Sequence, residues 1–385
     1  MKSVNRTLSR YGTTVFTVMS ALAVRHGAVN LGQGFPDEEG PEAIRRLAAD
    51  AVYEGPNQYP PMRGLAELRE AVATHNRRFY GLDINPETEV LVTSGATEAL
   101  ACGMLGLIEP GDEVVLFEPL YDSYLPMIER GGGIARIVRL EPPDWRLPEA
   151  ALAAVFSRRT KLLVLNSPLN PAGKVFGHEE LASIARLLLA YDAFALCDEV
   201  YEHLVFDGAS HVPLLSLPGM RERCVRIGSA GKTFSATGWK VGYASGPAPL
   251  IDALARAHQF LTFTTPPNLQ RAVAAGLCQN DGYFGGLAAQ QQAKRDRLAA
   301  GLAAAGFGVL PSTGTYFLVA DYRRLGFDET DAAFCQRLIE EAGVAAIPLS
   351  AFYREAPPVG FVRFCFCKRD AVLDEAVARL HRRFR

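Results

Sequence analysis

Two lysines, Lys232 and Lys240, are the only charged residues in the stretch Ile227 to Pro247, IGSAGKTFSATGWKVGYASGP. The whole chain has just seven lysines against 33 arginines. A lysine held away from water and from carboxylates has a lowered pKa, and the neutral amine that results can attack a carbonyl to form a Schiff base. An amphipathic lysine can equally lay its stem along apolar surface and keep its head in water. Either lysine alone therefore decides nothing, and other residues must supply what Schiff-base chemistry needs.

Several residue types suit that chemistry. Ser94, Gly95, Ala96 and Thr97 form an SGAT turn between an apolar run and a helical pattern. Such a turn presents backbone N–H groups at a helix N-terminus, where the dipole favours an anion such as phosphate, and Thr97 adds a hydroxyl. Ser229, three residues before Lys232, is either a second phosphate ligand or an ordinary turn residue. Asp198 ends the apolar run of CDEVY. It reads as the N-cap of a following helix or as a buried carboxylate that keeps a pyridine nitrogen protonated, making the ring an electron sink. Tyr201 and Asn170 could hydrogen-bond the phenolic oxygen of such a ring, and Tyr121 could stack on its face. Arg363, inside the apolar run FVRFCFC, needs an anion there. Its planar fork matches a carboxylate bidentately, whether from a substrate or from a structural ion pair.

The elements that must position these residues follow from the apolar pattern. From about residue 90 to 246, short apolar runs recur (EVLVTSG, EVVLFEP, IARIVRL, KLLVLNSP, AFALCDEV, CVRIGS, VGYASG), many separated by helix-like segments such as ATEALACGMLGLI and HEELASIARLLLAYD. Strands alternating with helices predict an α/β fold with a mostly parallel sheet covered on both faces, whose ligands bind beyond the carboxyl ends of the strands. The candidate residues follow the first, second, fourth, fifth and sixth of these strands, so they converge on one edge. After about residue 285 the pattern changes to a helix, strands (TYFLVAD, FVRFCFC) and a final helix, which reads as a separate α+β domain. The expected division is an N-terminal arm at 1–45 belonging to the small domain, a large domain at 46–284 and the rest of the small domain at 285–385.

Composition narrows the function classes. With 385 residues, 49% hydrophobic content and a net charge of −2, the chain can bury a large core and offers no basic surface for nucleic acid. Its seven cysteines are scattered, mostly in apolar runs and without metal-ligand spacing, which suits reduced core thiols rather than disulfides or zinc. The polar N-terminus and the absence of a long apolar run predict a cytoplasmic protein with no membrane contact.

Together these residues resemble the class I aminotransferases, pyridoxal-phosphate (PLP) enzymes of fold type I. The motifs NLGQGFPD, NQYPP, VTSGATEA, EPLYDSY, LNSPLNPAGK, CDEVYEHL, GSAGKTFSATGWKVG and VRFCF occur in the family's order over nearly the whole chain. The resemblance implies a seven-stranded sheet between helices plus a smaller α+β domain. It makes Lys232 the Schiff-base lysine and the proton shuttle between substrate Cα and cofactor C4′. It pairs Asp198 with the pyridine nitrogen and Asn170 and Tyr201 with the phenolic oxygen, stacks Tyr121 on the ring, and gives the phosphate to Ala96, Thr97, Ser229 and Lys240. Arg363 would bind the substrate α-carboxylate with Gly34 and Asn166 nearby, Phe16 would contact the substrate side chain, and Tyr59 would reach across from the second subunit of a homodimer.

Two branches are most similar. GSAGKTFSATGWKVG matches the kynurenine, glutamine and methionine aminotransferases, and NQYPP, YEHLVFD, GVAAIPLSAF and FCKRD match the actinobacterial branch labelled N-succinyldiaminopimelate aminotransferase. Thr264 stands where kynurenine aminotransferases carry a histidine. The reaction so implied is ping-pong transamination from an α-amino acid to a 2-oxo acid such as 2-oxoglutarate or pyruvate. A cysteine-S-conjugate β-lyase on the same scaffold is the alternative, because the same carbanion can expel a β-substituent. A non-catalytic cofactor-sensing regulator would need a DNA-binding domain, for which the chain has neither room before its first motif nor a basic patch.

Overall fold

The computed structural model describes residue 2 and residues 4–384. Seven strands form the main sheet: β1 (Val90–Thr93), β2 (Glu113–Glu118), β3 (Ile134–Arg139), β4 (Thr160–Asn166), β5 (Phe194–Asp198), β6 (Cys224–Ser229) and β7 (Gly242–Ser245). Their order across the sheet is β1-β7-β6-β5-β4-β2-β3. Only β7 runs against the rest, pairing antiparallel with both β1 and β6. The sheet is therefore mostly parallel, as the alternating pattern predicts.

Both faces of this sheet are covered, which is why its strands read as unbroken apolar runs. Leu91, Leu116, Val164, Leu196 and Ile227 pack into a core with helices α2 (Ala96–Leu107), α3 (Tyr124–Arg130) and α4 (Ala248–Leu261). Val92, Phe117, Leu165 and Cys197 point the other way into a second, larger core. Successive side chains along a strand alternate faces, so each strand feeds both cores.

A second, four-stranded antiparallel sheet is built from β8 (Gly308–Val309), β9 (Phe317–Asp321), β10 (Ile347–Pro348) and β11 (Phe361–Cys365), in the order β10-β11-β9-β8. Arg363 is at the middle of β11, opposite Val319 and Ile347. Helices α5 (Asp281–Ala304) and α6 (Asp370–Phe384) belong to this C-terminal part. Helix α5 begins N-terminal to the AAQQQAKRDR segment that its sequence pattern marks. Its first turns hold Gly282, Gly285 and Gly286, weak helix formers that conceal the start, and Asn280 Oδ1 accepts the Tyr283 N–H as a cap (3.2 Å). The N-terminal helix α1 (Val15–His26) leads into Val29–Asn30, which pairs in parallel with Val344–Ala345. That pairing carries the GQGFP turn to the mouth of the main sheet.

All seven cysteines are free thiols, and all but Cys278 are buried. Cys365 and Cys367 place their sulfurs 3.2 Å apart on one side of the β11 segment, as strand alternation predicts.

Candidate active site

A cavity of about 480 Å³ opens at the carboxyl ends of the main-sheet strands. Its walls include Phe16, Gly34, Ala96, Thr97, Tyr121, Asn166, Asn170, Asp198, Tyr201, Ser229, Lys232, Lys240 and Arg363. Every residue singled out from the sequence for the cofactor and the substrate thus lines one space, with one exception. Tyr59 is 82% exposed and lies against a separate surface hollow with Thr264, its ring 5.5 Å from that of Phe263.

Lys232 lies in the short helical turn Ala230–Thr233 that follows β6. Protein atoms surround it, yet part of its surface stays open to the cavity; burial pulls its pKa below the usual lysine range. Its Nζ donates to the Gly34 carbonyl (3.2 Å), and Tyr316 Oη anchors its backbone by donating to the Lys232 carbonyl (2.7 Å). Lys240 differs. It is exposed, in left-handed backbone (φ 53°), so seclusion from water holds for Lys232 and not for its neighbour. A Cβ added to Gly95 would be 3.1 Å from Lys240 Nζ, so the amine lies directly against the SGAT turn. Gly95 itself has φ +78°, a conformation that L side chains rarely adopt. With the first helical N–H groups at Ala96 and Thr97, the turn and Lys240 form a cationic cup.

Asp198 ends β5 and is 5% exposed. No helix follows it, only turns through His203, so the N-cap reading does not hold. Burial pushes its carboxyl up to about 6, against the opposing hydrogen bond that Tyr124 Oη donates to Oδ2 (2.6 Å). The other oxygen, Oδ1, has no hydrogen-bond partner in the structure. Tyr124, at the start of α3, was not anticipated from the sequence. The signal was present, since Tyr121 and Tyr124 in EPLYDSY are spaced to share one side of a helical turn. Asn166 braces the site by donating from Nδ2 to the Asp198 carbonyl (2.9 Å) and accepting the Asn170 N–H (2.8 Å). Tyr201 is 4% exposed, and its ring lies 5.6 Å from Lys232 Nζ.

Arg363 is 1% exposed. Its guanidinium stacks on Phe317 (4.0 Å) and flanks Phe16 (5.2 Å); Nη1 donates to Asn170 Oδ1 (3.0 Å) and Nη2 to the Gly32 carbonyl (2.6 Å). Nε has no partner, and burial draws the pKa down to about 10. Among the described residues no carboxylate lies within ion-pair distance of it, so a structural ion pair is not its purpose. The Asp122 carboxylate acts on it only through space. Gly34 packs so tightly on Phe317 that a Cβ would meet its ring at 2.7 Å, which holds the Gly34 carbonyl at Lys232.

Residues 27–380 match the family described as aminotransferase class I and II. The chain belongs to that family. It is 50% identical to the probable N-succinyldiaminopimelate aminotransferase DapC of Mycobacterium tuberculosis over 97% of this chain and 96% of the relative. It is 42% identical to the methionine aminotransferase of Escherichia coli over the same shares. The solved structure of the M. tuberculosis N-succinyldiaminopimelate aminotransferase superposes with a TM-score of 0.96 at 51% identity, covering 98% of this chain and 99% of that one.

This aminotransferase is an α/β protein of fold type I, and its cofactor is pyridoxal 5′-phosphate. The donor set fits that group. A buried, unpartnered carboxylate oxygen suits a ring N–H, a lysine with lowered pKa suits an aldehyde, and a cup of backbone N–H groups beside Lys240 suits a phosphate. Among the described residues no helix is long and apolar enough to cross a membrane.

Proposed function

We propose that Lys232 is the catalytic lysine of a ping-pong transamination, in which an α-amino acid gives up its amino group and leaves as a 2-oxo acid before a second 2-oxo acid enters. When bound, PLP supplies a carbonyl for the lysine and a protonated ring that draws in the electrons left at the substrate Cα. Lys232 Nζ, whose pKa burial lowers, accepts the Cα proton. Asp198 Oδ1 accepts the ring N–H, Tyr201 and Asn170 hold the phenolic oxygen, and Tyr121 covers the ring face. Ala96, Thr97, Ser229 and Lys240 hold the phosphate. Arg363 clamps the α-carboxylate, with Asn166 and Gly34 framing it. The observation that carries this reading is the meeting, in one cavity, of the unpaired Asp198 Oδ1, the depressed Lys232 amine and a buried arginine with no carboxylate within ion-pair distance among the described residues.

The same walls bear on the donor. Lys232, Lys240 and Arg363 are the only basic side chains among the described residues lining the cavity, and Asp122 adds a second carboxylate to that of Asp198. With those three residues assigned, a further substrate carboxylate would be desolvated without a counter-charge, at a cost of several kcal/mol. Phe16, Phe35 and Phe317 offer apolar surface instead. The donor we infer has an uncharged side chain of the methionine type, and the acceptor is closer to pyruvate than to 2-oxoglutarate. N-succinyldiaminopimelate, the substrate in the name of a similar relative, brings extra carboxylates for which the described residues lining the cavity offer no further basic side chain. The working form is a cytoplasmic homodimer, each protomer lending Tyr59 to its partner. The arm at 1–45 and residues 285–385 act as the small domain that carries Arg363, against the large domain at 46–284.

A donor panel with pyruvate, run on the holoenzyme and on Lys232→Ala, tests both parts. Methionine is expected to exceed glutamate and N-succinyldiaminopimelate by roughly 100-fold in kcat/KM, and Lys232→Ala to lose turnover and the borohydride-fixed cofactor mass on its Lys232 peptide. The reverse donor order would overturn the donor and spare the lysine. A variant that still transaminates would overturn the lysine.

A further inference from the structure

Glu98, in the first turn of α2, places a carboxylate beside the SGAT turn. Its Oε2 accepts the Ser94 N–H, while Oε1 accepts Thr262 Oγ1 (2.5 Å) and faces His258 Nδ1 (2.7 Å). Burial pushes its carboxyl up, but the hydrogen bonds from His258, Thr262 and Ser94 outweigh that and hold it below the usual range. A negative charge is thereby fixed behind the turn to which the proposed reading gives a phosphate dianion. Uncompensated, the two would repel.

His258, on α4, is completely buried. Its Nε2 lies 3.1 Å from the Met62 carbonyl, an acceptor only, so Nε2 carries a hydrogen. Its Nδ1 faces a carboxylate oxygen that already accepts the Thr262 hydroxyl, so Nδ1 carries one too. Both ring nitrogens thus face acceptor oxygens, and Thr262 Oγ1 lies 3.2 Å from Nδ1, a setting that an imidazolium satisfies.

We propose that His258 is a positioning residue for the cofactor phosphate: its fixed positive charge neutralises Glu98, so that Glu98 can hold the Ser94 N–H and shape the cup without repelling the phosphate. Met62 lies three residues after Tyr59, so the same ring also ties the cup to the segment that would serve the partner protomer. The inference rests on the phosphate reading of the SGAT turn.

The test compares binding of PLP with binding of pyridoxal, which lacks the phosphate, to the apo forms of the full-length protein. Wild type is expected to prefer PLP; no preference would remove the phosphate reading itself. His258→Gln is expected to lose about tenfold or more in PLP affinity with pyridoxal binding unchanged, and adding Glu98→Gln, which deletes the exposed charge, is expected to restore it. If wild type prefers PLP but His258→Gln weakens both ligands alike, or neither, or if the double variant is not rescued, the proposal is overturned and the phosphate reading stands. Histidine ¹⁵N resonances of the unaltered holoenzyme give a measurement that does not depend on His258→Gln folding. One ring should be doubly protonated and should lose that state in Glu98→Gln. A neutral ring would overturn the proposal.

Discussion

The state of Asp198 sets a pH limit on the site. Its carboxyl lies at about 6 against an ordinary value of 3.8, because burial disfavours the charge more than Tyr124 supports it. A carboxyl whose folded pKa is raised takes up its proton in the folded state first. The apoprotein thus gains stability from this group as pH falls from about 6 towards the ordinary carboxylate range, and the same protonation removes the acceptor for a ring N–H. PLP affinity of the apoprotein is expected to fall as pH drops through about 6. Tyr124→Phe deletes the bond that holds the pKa down, so the inflection should move to higher pH in cofactor titrations; an inflection that stays in place would separate Tyr124 from the tuning of Asp198. Asp198, Lys232 and Arg363 were legible in the sequence because a charged residue inside an apolar run is conspicuous. Tyr124, Glu98 and His258 were not, since an aromatic or a charge in a helical segment reads as ordinary core or surface until its neighbours are known.

The elements deliver these side chains by close backbone approach. A Cβ added at Gly242, the first residue of β7, would lie 2.4 Å from the Gly95 carbonyl carbon and 2.6 Å from the Ala96 nitrogen. The phosphate cup is therefore pressed directly onto the antiparallel strand, with Lys240 two residues upstream. Gly242→Ala is expected to cost about 1–3 kcal/mol in urea denaturation and to weaken PLP binding, because the cup must shift to admit the methyl group. An unchanged midpoint with intact binding would show that the cup yields freely. Strand existence was readable from apolar runs, since both faces of the sheet are covered. The reversed direction of β7 was not, because a short run of small residues carries no mark of direction, and pairing partners distant in sequence settle it.

At the scale of the molecule, the position of one assigned residue bears on assembly. Tyr59, assigned to a cofactor site by resemblance, lies outside this chain's own cavity, and Tyr53 (91% exposed), Tyr59 and Phe260 (84%) are large aromatics left open to solvent. Where such aromatics form a contiguous patch, they mark an interaction surface. In a homodimer that covers this face, Phe260→Asp would bury an unpaired charge. Sedimentation should then show the variant shifted to monomer, with PLP affinity reduced by loss of the partner's contribution; a variant that remains dimeric would place the interface elsewhere.

The order of motifs, the alternation of apolar runs and the placement of lone charged residues at their ends were properties of the linear chain, and they sufficed for the α/β class and for naming residues that the fold gathers in one cavity. These signals are local, because a strand's burial and a residue's oddness within it are written in a few neighbours. The partner of Asp198 on α3, the lack of an ion-pair partner for Arg363 among the described residues, the seclusion of Lys232 but not Lys240, and the Glu98–His258 pair behind the SGAT turn came only from folding. Each depends on atoms from segments up to hundreds of residues apart, and on which of them are left without a partner once the chain has closed around them.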